Sequence, residues 1–310
     1  MSRTSVYFLF EGRREAKIIE FRRFSIDDKE RINDFFKVHH YEQCDCSFNT
    51  LFLWQNSYNT MWAEQDDILF IRAGRGTQVY FMPPFAKEGA SFSHGLELIQ
   101  HEFDKTGHPF MLMGASKEVV EKIETQVPDK YLFTPFRDDW EYIYKTSDLI
   151  NLSGKKFRMK KNHLNHFLRE YSDYVYEPVN DTNMEDARRG ISEWFVRHGD
   201  IEKEEEAINL AFDNWKALGL KGAVIRIYGK VEAFTCGDLL NENVAHIHFE
   251  KANPDVRGLY QAINRDFILN EFKDTEFVNR EEDLGIEGLR KAKNEYHPDH
   301  FAEKYNVTLK

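Results

Sequence analysis

Residues 223–250 read AVIRIYGKVEAFTCGDLLNENVAHIHFE. Three runs rich in β-branched and aromatic residues, Ala223 to Tyr228, Val231 to Leu239 and Val244 to Glu250, are separated by Gly229-Lys230 and by Asn241-Glu242-Asn243. Short polar turns between such runs are the signature of an antiparallel meander. A long helix is expected next, from Arg257 to about Phe272, then a strand at Phe277-Val278, a short helix from Leu284 to Tyr296 and a terminal strand. Upstream, helical patterns cover Lys155 to Tyr171, Glu185 to Arg197 and Glu202 to Leu218. The second half is therefore α+β, with a long helix leaving the end of the third meander strand.

The first half has the same mixed character. Ser25-Ile26-Asp27-Asp28 opens a helix with acids in its first turn. Strands are expected at Ile68 to Arg72 and Val79 to Met82, joined by a turn containing Gly74 and Gly76. Helices at His94 to Asp104 and Lys117 to Thr125 flank a buried strand at Phe110 to Met113, and Trp140 to Tyr144 alternates like a strand. Two domains are expected, 1–147 and 148–310, in a chain of 310 residues.

Composition excludes several classes. Twenty-six Phe, 14 Tyr and five Trp are too many for a disordered chain. The run Ser5 to Phe10 is far shorter than the roughly 20 residues of a membrane helix, and charged residues follow it at once, unlike a signal peptide. Three cysteines allow at most one bridge, so a cytoplasmic protein is expected. A net charge of −11 argues against coating nucleic acid by bulk charge, so any polyanion site must be local.

One window stands out. From Leu149 to Arg169 there is no acid, but six Lys or Arg and two His. Lys155, Lys156, Arg158, Lys160 and Lys161 sit at an expected helix N-terminus, where the macrodipole opposes them and free N–H groups favour an anion. A bound polyanion would resolve that conflict; a solvated basic face is the alternative. In the strand Val244 to Glu250, alternation puts His246, His248 and Glu250 on one face and Ala245, Ile247 and Phe249 on the other. That row reads as cleft-facing, with Glu250 a base or amine anchor, or as one wetted face of a sheet. No metal is expected, there or in His39 to Cys46, which matches no usual zinc spacing. The turn holding Asn253 leads to Arg257-Gly258 at a helix start, where free amides and glycine admit a phosphate. Asp283 reads as a helix N-cap, and Arg290 and Lys293 share a face with Tyr296 that suits a carbonyl or carboxylate.

Three of these stretches together resemble one family. Leu152 to Phe167, His246 to Asn253 with Arg257-Gly258, and Asp283-Leu284-Gly285 followed by Gly288-Leu289-Arg290 and Lys293 are similar, in order, to motifs of the phosphatidylglycerol lysyltransferase C-terminal-domain family. Ser47 to Trp54 in the first half has the same character. The resemblance runs from about Phe21 and implies two tandem GNAT-like domains, related to the aminoacyltransferases that build peptidoglycan bridges. Characterised relatives take an aminoacyl group from tRNA to phosphatidylglycerol and carry a large membrane domain ahead of this region. Tyr260 stands where the GNAT donor loop has a second Gly, which weighs against acetyl-CoA.

The resemblance thus implies an aminoacyl-tRNA-dependent aminoacyltransferase acting on a lipid or small molecule, with aminoacyl-tRNA as co-substrate and no separate cofactor. The basic window would hold tRNA, Asn253, Arg257 and Gly258 a donor phosphate, and Glu250 or Asp283 would deprotonate the acceptor. Arg290 and Lys293 would stabilise the oxyanion. A lipid headgroup at a membrane surface would be a further partner. An acyl-CoA-dependent N-acyltransferase and a non-catalytic ligand-binding module are the other readings.

Overall fold

A computed structural model describes residues 19–37, 41–75, 77–199 and 204–310. The expected apolar run Ser5 to Phe10, along with His39, His40 and Gly76, lies outside them. Among the described residues, no helix is long and apolar enough to cross a membrane.

Among the described residues, two seven-stranded sheets form the scaffold. The first contains β1 (Met61–Gln65), β2 (Ile68–Arg75), β3 (Gln78–Phe81), β4 (Phe85–Ala86), β5 (Met111–Ala115) and β6 (Tyr131–Pro135), together with the last strand of the chain. The second contains β7 (Glu141–Lys145), β8 (Val175–Pro178), β9 (Lys221–Ile227), β10 (Lys230–Leu239), β11 (Val244–Ala252), β12 (Phe277–Asn279) and β13 (His300–Ala302). The last strand is β14 (Tyr305–Leu309). Its place corrects the expected division. β7, from the first half, pairs with β12 and β13 of the second, and β14, from the second half, pairs with β5 and β6 of the first. Each half lends its last strand to the other sheet, so a cut at 147/148 would leave both sheets incomplete.

The two sheets repeat one plan. In the first, the meander β1-β2-β3 is followed by a parallel neighbour, β5; in the second, β9-β10-β11 is followed by a parallel neighbour, β12. Both parallel contacts are short: Phe81 with Leu112 in the first, and Val244 to His246 with Phe277 to Asn279 in the second. Beyond His246, β11 runs on to Ala252 without β12 beside it, and the sheet splays open.

Three apolar layers glue the sheets. One core joins the first sheet to the helices Phe92–Thr106 and Lys117–Gln126. A second joins the other sheet to the helices Arg158–Glu170 and Leu259–Glu271. The third lies between the sheets and draws on both halves: Phe48 and Phe52 from one, Ile191, Phe195 and Phe212 from the other. The lobes therefore share a core, and burying it is what fixes their relative position. The chain turns helical after Ser25 as expected, and Ser25 and Asp28 form a reciprocal capping box there. The helix expected over Glu202 to Leu218 is broken into Glu204–Asp213 and Trp215–Leu218.

One strand departs from simple alternation. Cys236 pairs with Phe249 but Gly237 pairs with Ile247, so His248 is an extra residue in β11. Ala245 and Ile247 consequently belong to the outer core, whereas Phe249 joins Phe234 and Cys236 in the core between the sheets. The expected common face of His246, His248 and Glu250 does not exist, and both imidazoles are buried rather than wetted. Gly237 is required there, because a Cβ would lie 2.1 Å from the His246 carbonyl oxygen.

Candidate active site

The splayed end of β11 opens into a cavity of about 880 Å³ between the lobes. Its wall takes Thr50, Trp54 and Tyr80 from the first half and Glu250, Arg280, Lys293 and Tyr296 from the second. Glu250 and Lys293, far apart in sequence, thus face one space, as does Lys160. Trp54 and Phe249 pack with ring centroids 5.9 Å apart, an aromatic tie across the two halves at this cavity.

A cation absent from the sequence reading is central to it. Arg280 is nearly buried, donates through Nη2 to Glu250 Oε1 at 2.9 Å, and lies 4.9 Å from the Tyr296 ring centroid and 5.8 Å from that of Tyr144. Its Nη1 is buried with no partner among the described residues. Glu250 spends its second oxygen on Asn264 Nδ2, at 2.9 Å, so its position is set by two donors. Lys293 Nζ donates to the carbonyl of Arg280, at 2.6 Å, and to that of Glu282. Burial lowers Lys293 below the usual lysine range, against the pull of Glu282 and Glu281. Burial likewise pushes those two carboxyls up. The segment that carries them is bent: Glu281, Leu284 and Gly285 all have left-handed backbone conformations.

A second missed residue is Asp139, which also lines the cavity. Burial pushes its carboxyl up to about 7, although Lys304 pulls the other way. A cleft carboxyl poised near neutrality is suited to proton transfer. Its only sequence signal was its place beside Trp140 at the start of a strand, which points to no chemistry.

The other expected residues lie elsewhere. Asp283 is no N-cap: the helix Glu287–Asn294 begins after Ile286. Its fully buried carboxylate takes hydrogen bonds from Arg290, from Tyr142 Oη at 2.6 Å, from Arg137 at 3.2 Å and from the Gly285 N–H at 2.9 Å. Burial alone would raise it, but these donors, Arg290 first, hold it down at about 2. Arg290 is thereby committed to Asp283 and to Asp138. The pair braces the cavity wall from behind. Asn253, Arg257 and Gly258 are not among the lining residues. Gly258 has φ of 90° and a Cβ there would lie 2.2 Å from the His163 carbonyl oxygen, so the close approach it permits is taken by a neighbouring helix.

The basic window divides in two. Lys160 is buried, contrary to its expected exposure; it pairs with Glu295 at 2.9 Å and lies over the Tyr296 ring. Its position one helical turn from Leu164 puts it on the packed face. Lys155, Lys156, Arg158 and Lys161 are exposed, and Lys156 pairs with Asp148 at 3.0 Å.

Two sheets of one plan, with the cavity where the second splays open, define a tandem GNAT-like protein, the fold of FemX (6% identity, TM-score 0.57, covering 93% of this chain and 97% of that one). The chain belongs to the phosphatidylglycerol lysyltransferase C-terminal family, whose model matches residues 36–308. A conserved protein of unknown function from Bacteroides thetaiotaomicron is 35% identical with a TM-score of 0.87, over 94% of this chain and all of that one. L-PGS from Bacillus licheniformis shares the fold at 17% identity and a TM-score of 0.63, over 91% of each chain. An uncharacterised protein of Mycoplasmoides gallisepticum is 23% identical over 173 residues, 54% of this chain and 56% of that relative's length.

Proposed function

We propose that the chain is an aminoacyltransferase that moves an aminoacyl group from an aminoacyl-tRNA to a hydroxyl or amine acceptor in the cavity between its lobes. The observation that carries this reading is the meeting of Lys293 with Arg280, whose buried Nη1 has no partner among the described residues, in the wall of that cavity. The acceptor attacks the ester carbonyl carbon, and the negative charge that develops on the carbonyl oxygen is met by these two cations. Held in place before the reaction, each is worth on the order of 3 kcal/mol of barrier. Asp139 takes the proton of the attacking group and returns it to the departing ribose oxygen as the intermediate collapses. Glu250 and Asn264 hold Arg280 in position, and the Asp283–Arg290 brace holds the segment that carries Lys293. Membership of the lysyltransferase family supports the reaction class. The acceptor is open to a lipid headgroup or a small molecule.

Two predictions accompany this reading. Asp139→Asn removes the base. Wild-type kcat/KM should rise with pH through about 7, the value at which Asp139 loses its proton, and the variant should lose that limb along with about a hundredfold of rate. A pH profile unchanged by the substitution contradicts the assignment. The exposed cations Lys155, Arg158 and Lys161 would receive the tRNA. Reversing all three to Glu should weaken tRNA binding at least tenfold and flatten its salt dependence, with the melting temperature nearly unchanged. Equal affinity in the triple variant would make this a solvated face.

Thermal shift measured with charged tRNA and with coenzyme A tests the donor directly, since a ligand of the native state raises the melting point by mass action. Stabilisation by charged tRNA alone is the expected result; stabilisation by coenzyme A alone favours an acyl-CoA donor.

A further inference from the structure

Beneath the cavity, where β10 and β11 pair around the bulge, three polar side chains meet in the interior. Asp238 faces His246 across the strands, and His248 is the bulged residue next to it. All three are nine-tenths or more buried. His246 and His248 pack with ring centroids 4.1 Å apart. His246 Nδ1 lies 3.9 Å from Asp238 Oδ1, and His248 Nε2 lies 3.1 Å from Asp238 Oδ2. Asp238 Oδ1, His246 Nδ1 and His248 Nδ1 have no hydrogen-bond partner among the described residues, and His248 Nε2 has only the Asp238 carboxylate beside it. Three unsatisfied buried polar atoms in one place are costly unless something binds them.

We propose that Asp238, His246 and His248 form a binding site for a divalent cation of the zinc class. One ligand atom from each lies within 4.8 Å of the other two. Bonds of 2.0–2.2 Å in a tetrahedron put neighbouring ligand atoms about 3.3 Å apart, so small side-chain shifts bring all three onto one ion. Two imidazoles and a carboxylate are the nitrogen and oxygen donors such an ion prefers. The surroundings are arranged to suit. His246 Nε2 is 3.0 Å from Glu281 Oε1, a carboxylate on the far side of the ring, which leaves Nδ1 turned to the ion. Asn49 Nδ2 donates to Asp238 Oδ2 and orients that carboxylate. His248 lines the interlobe cavity and Asp238 lines a second cavity of about 570 Å³, so an ion has a route in from either side. Its role is to pin the bulge in β11, and with it the splayed strand that carries Glu250. The inference is independent of the reaction proposed above.

Cys44, His246 and Glu281 form a competing triplet on the other side of the same ring, and the experiment separates the two. The 310-residue chain, stripped with chelator, is titrated with cobalt(II) alone and followed by visible and near-ultraviolet absorption. One ion per chain is expected, with a visible d–d band and no thiolate charge-transfer band. Binding should persist in Cys44→Ser and fall at least a hundredfold in His248→Gln and Asp238→Asn, each checked for folding by circular dichroism. Should either variant fail to fold, anomalous diffraction from a zinc-soaked wild-type crystal locates the ion; a peak between the three side chains supports the site. Absence of binding, a thiolate band, retained affinity in folded His248→Gln, or an anomalous peak elsewhere overturns it.

Discussion

Lys293→Met is expected to lower single-turnover aminoacyl transfer by about a hundredfold, the scale of losing one preorganised oxyanion donor. Its ammonium is not a free surface charge. It bridges the carbonyls of Arg280 and Glu282 and lies beside Glu281 and Glu282, so the substitution also strips two half-buried acceptors of a donor. About 2 kcal/mol of stability should go with it, short of unfolding a chain of this size. The two effects separate experimentally: tRNA affinity should stay within about threefold of wild type while the chemical step collapses. Turnover within fivefold of wild type in a folded variant would remove Lys293 from the chemistry and leave it a brace.

The second large effect is on folding. Lys304 is buried and lies 2.5 Å from both Asp45 and Glu141, and Glu141, wholly buried, also accepts from the Cys44 N–H and from Asn279. Burial alone would depress the lysine, but Asp45 and Glu141 hold it well above its ordinary range. The knot joins the last residues of the chain, the exchanged strand β7 and the first half. Lys304→Met leaves Glu141 charged, buried and without its cation, a loss of about 3–5 kcal/mol, or a fall of roughly 10 °C in melting temperature. Adding Glu141→Gln should recover part of it, because the stranded charge is gone. A single variant within 1 kcal/mol of wild type would show that the knot does not hold the lobes together.

Periodicity and turn chemistry made most elements legible. The meander, the long helix after it and the helix start at Ser25 follow from local signals. The exchange of β7 and β14 did not, because a strand's partner is set by tertiary packing and leaves no mark in its own alternation. The bulge at His248 also escaped: one inserted residue reverses every later side chain, so a period-2 reading put Glu250 on the wrong face. Asp283 was read as a helix cap or base and Arg290 as an oxyanion donor beside Lys293, whereas the two pair with each other; the same residue types suit a buried brace as well as a catalytic group. Arg280 and Asp139 were missed because what distinguishes them is environment: an unpartnered guanidinium nitrogen and a half-buried carboxyl.

Aminoacyl transfer in the interlobe cavity requires the aminoacyl end of the donor to seat there. The most direct measurement is a crystal structure with a stable donor analogue, an adenosine whose 3′ position carries the amino acid through an amide. The analogue is expected in the cavity between the lobes, with its carbonyl oxygen within hydrogen-bonding reach of Lys293 Nζ or Arg280 Nη1. An analogue seated instead against Asn253, Arg257 and Gly258, with the cavity left to solvent, would contradict it.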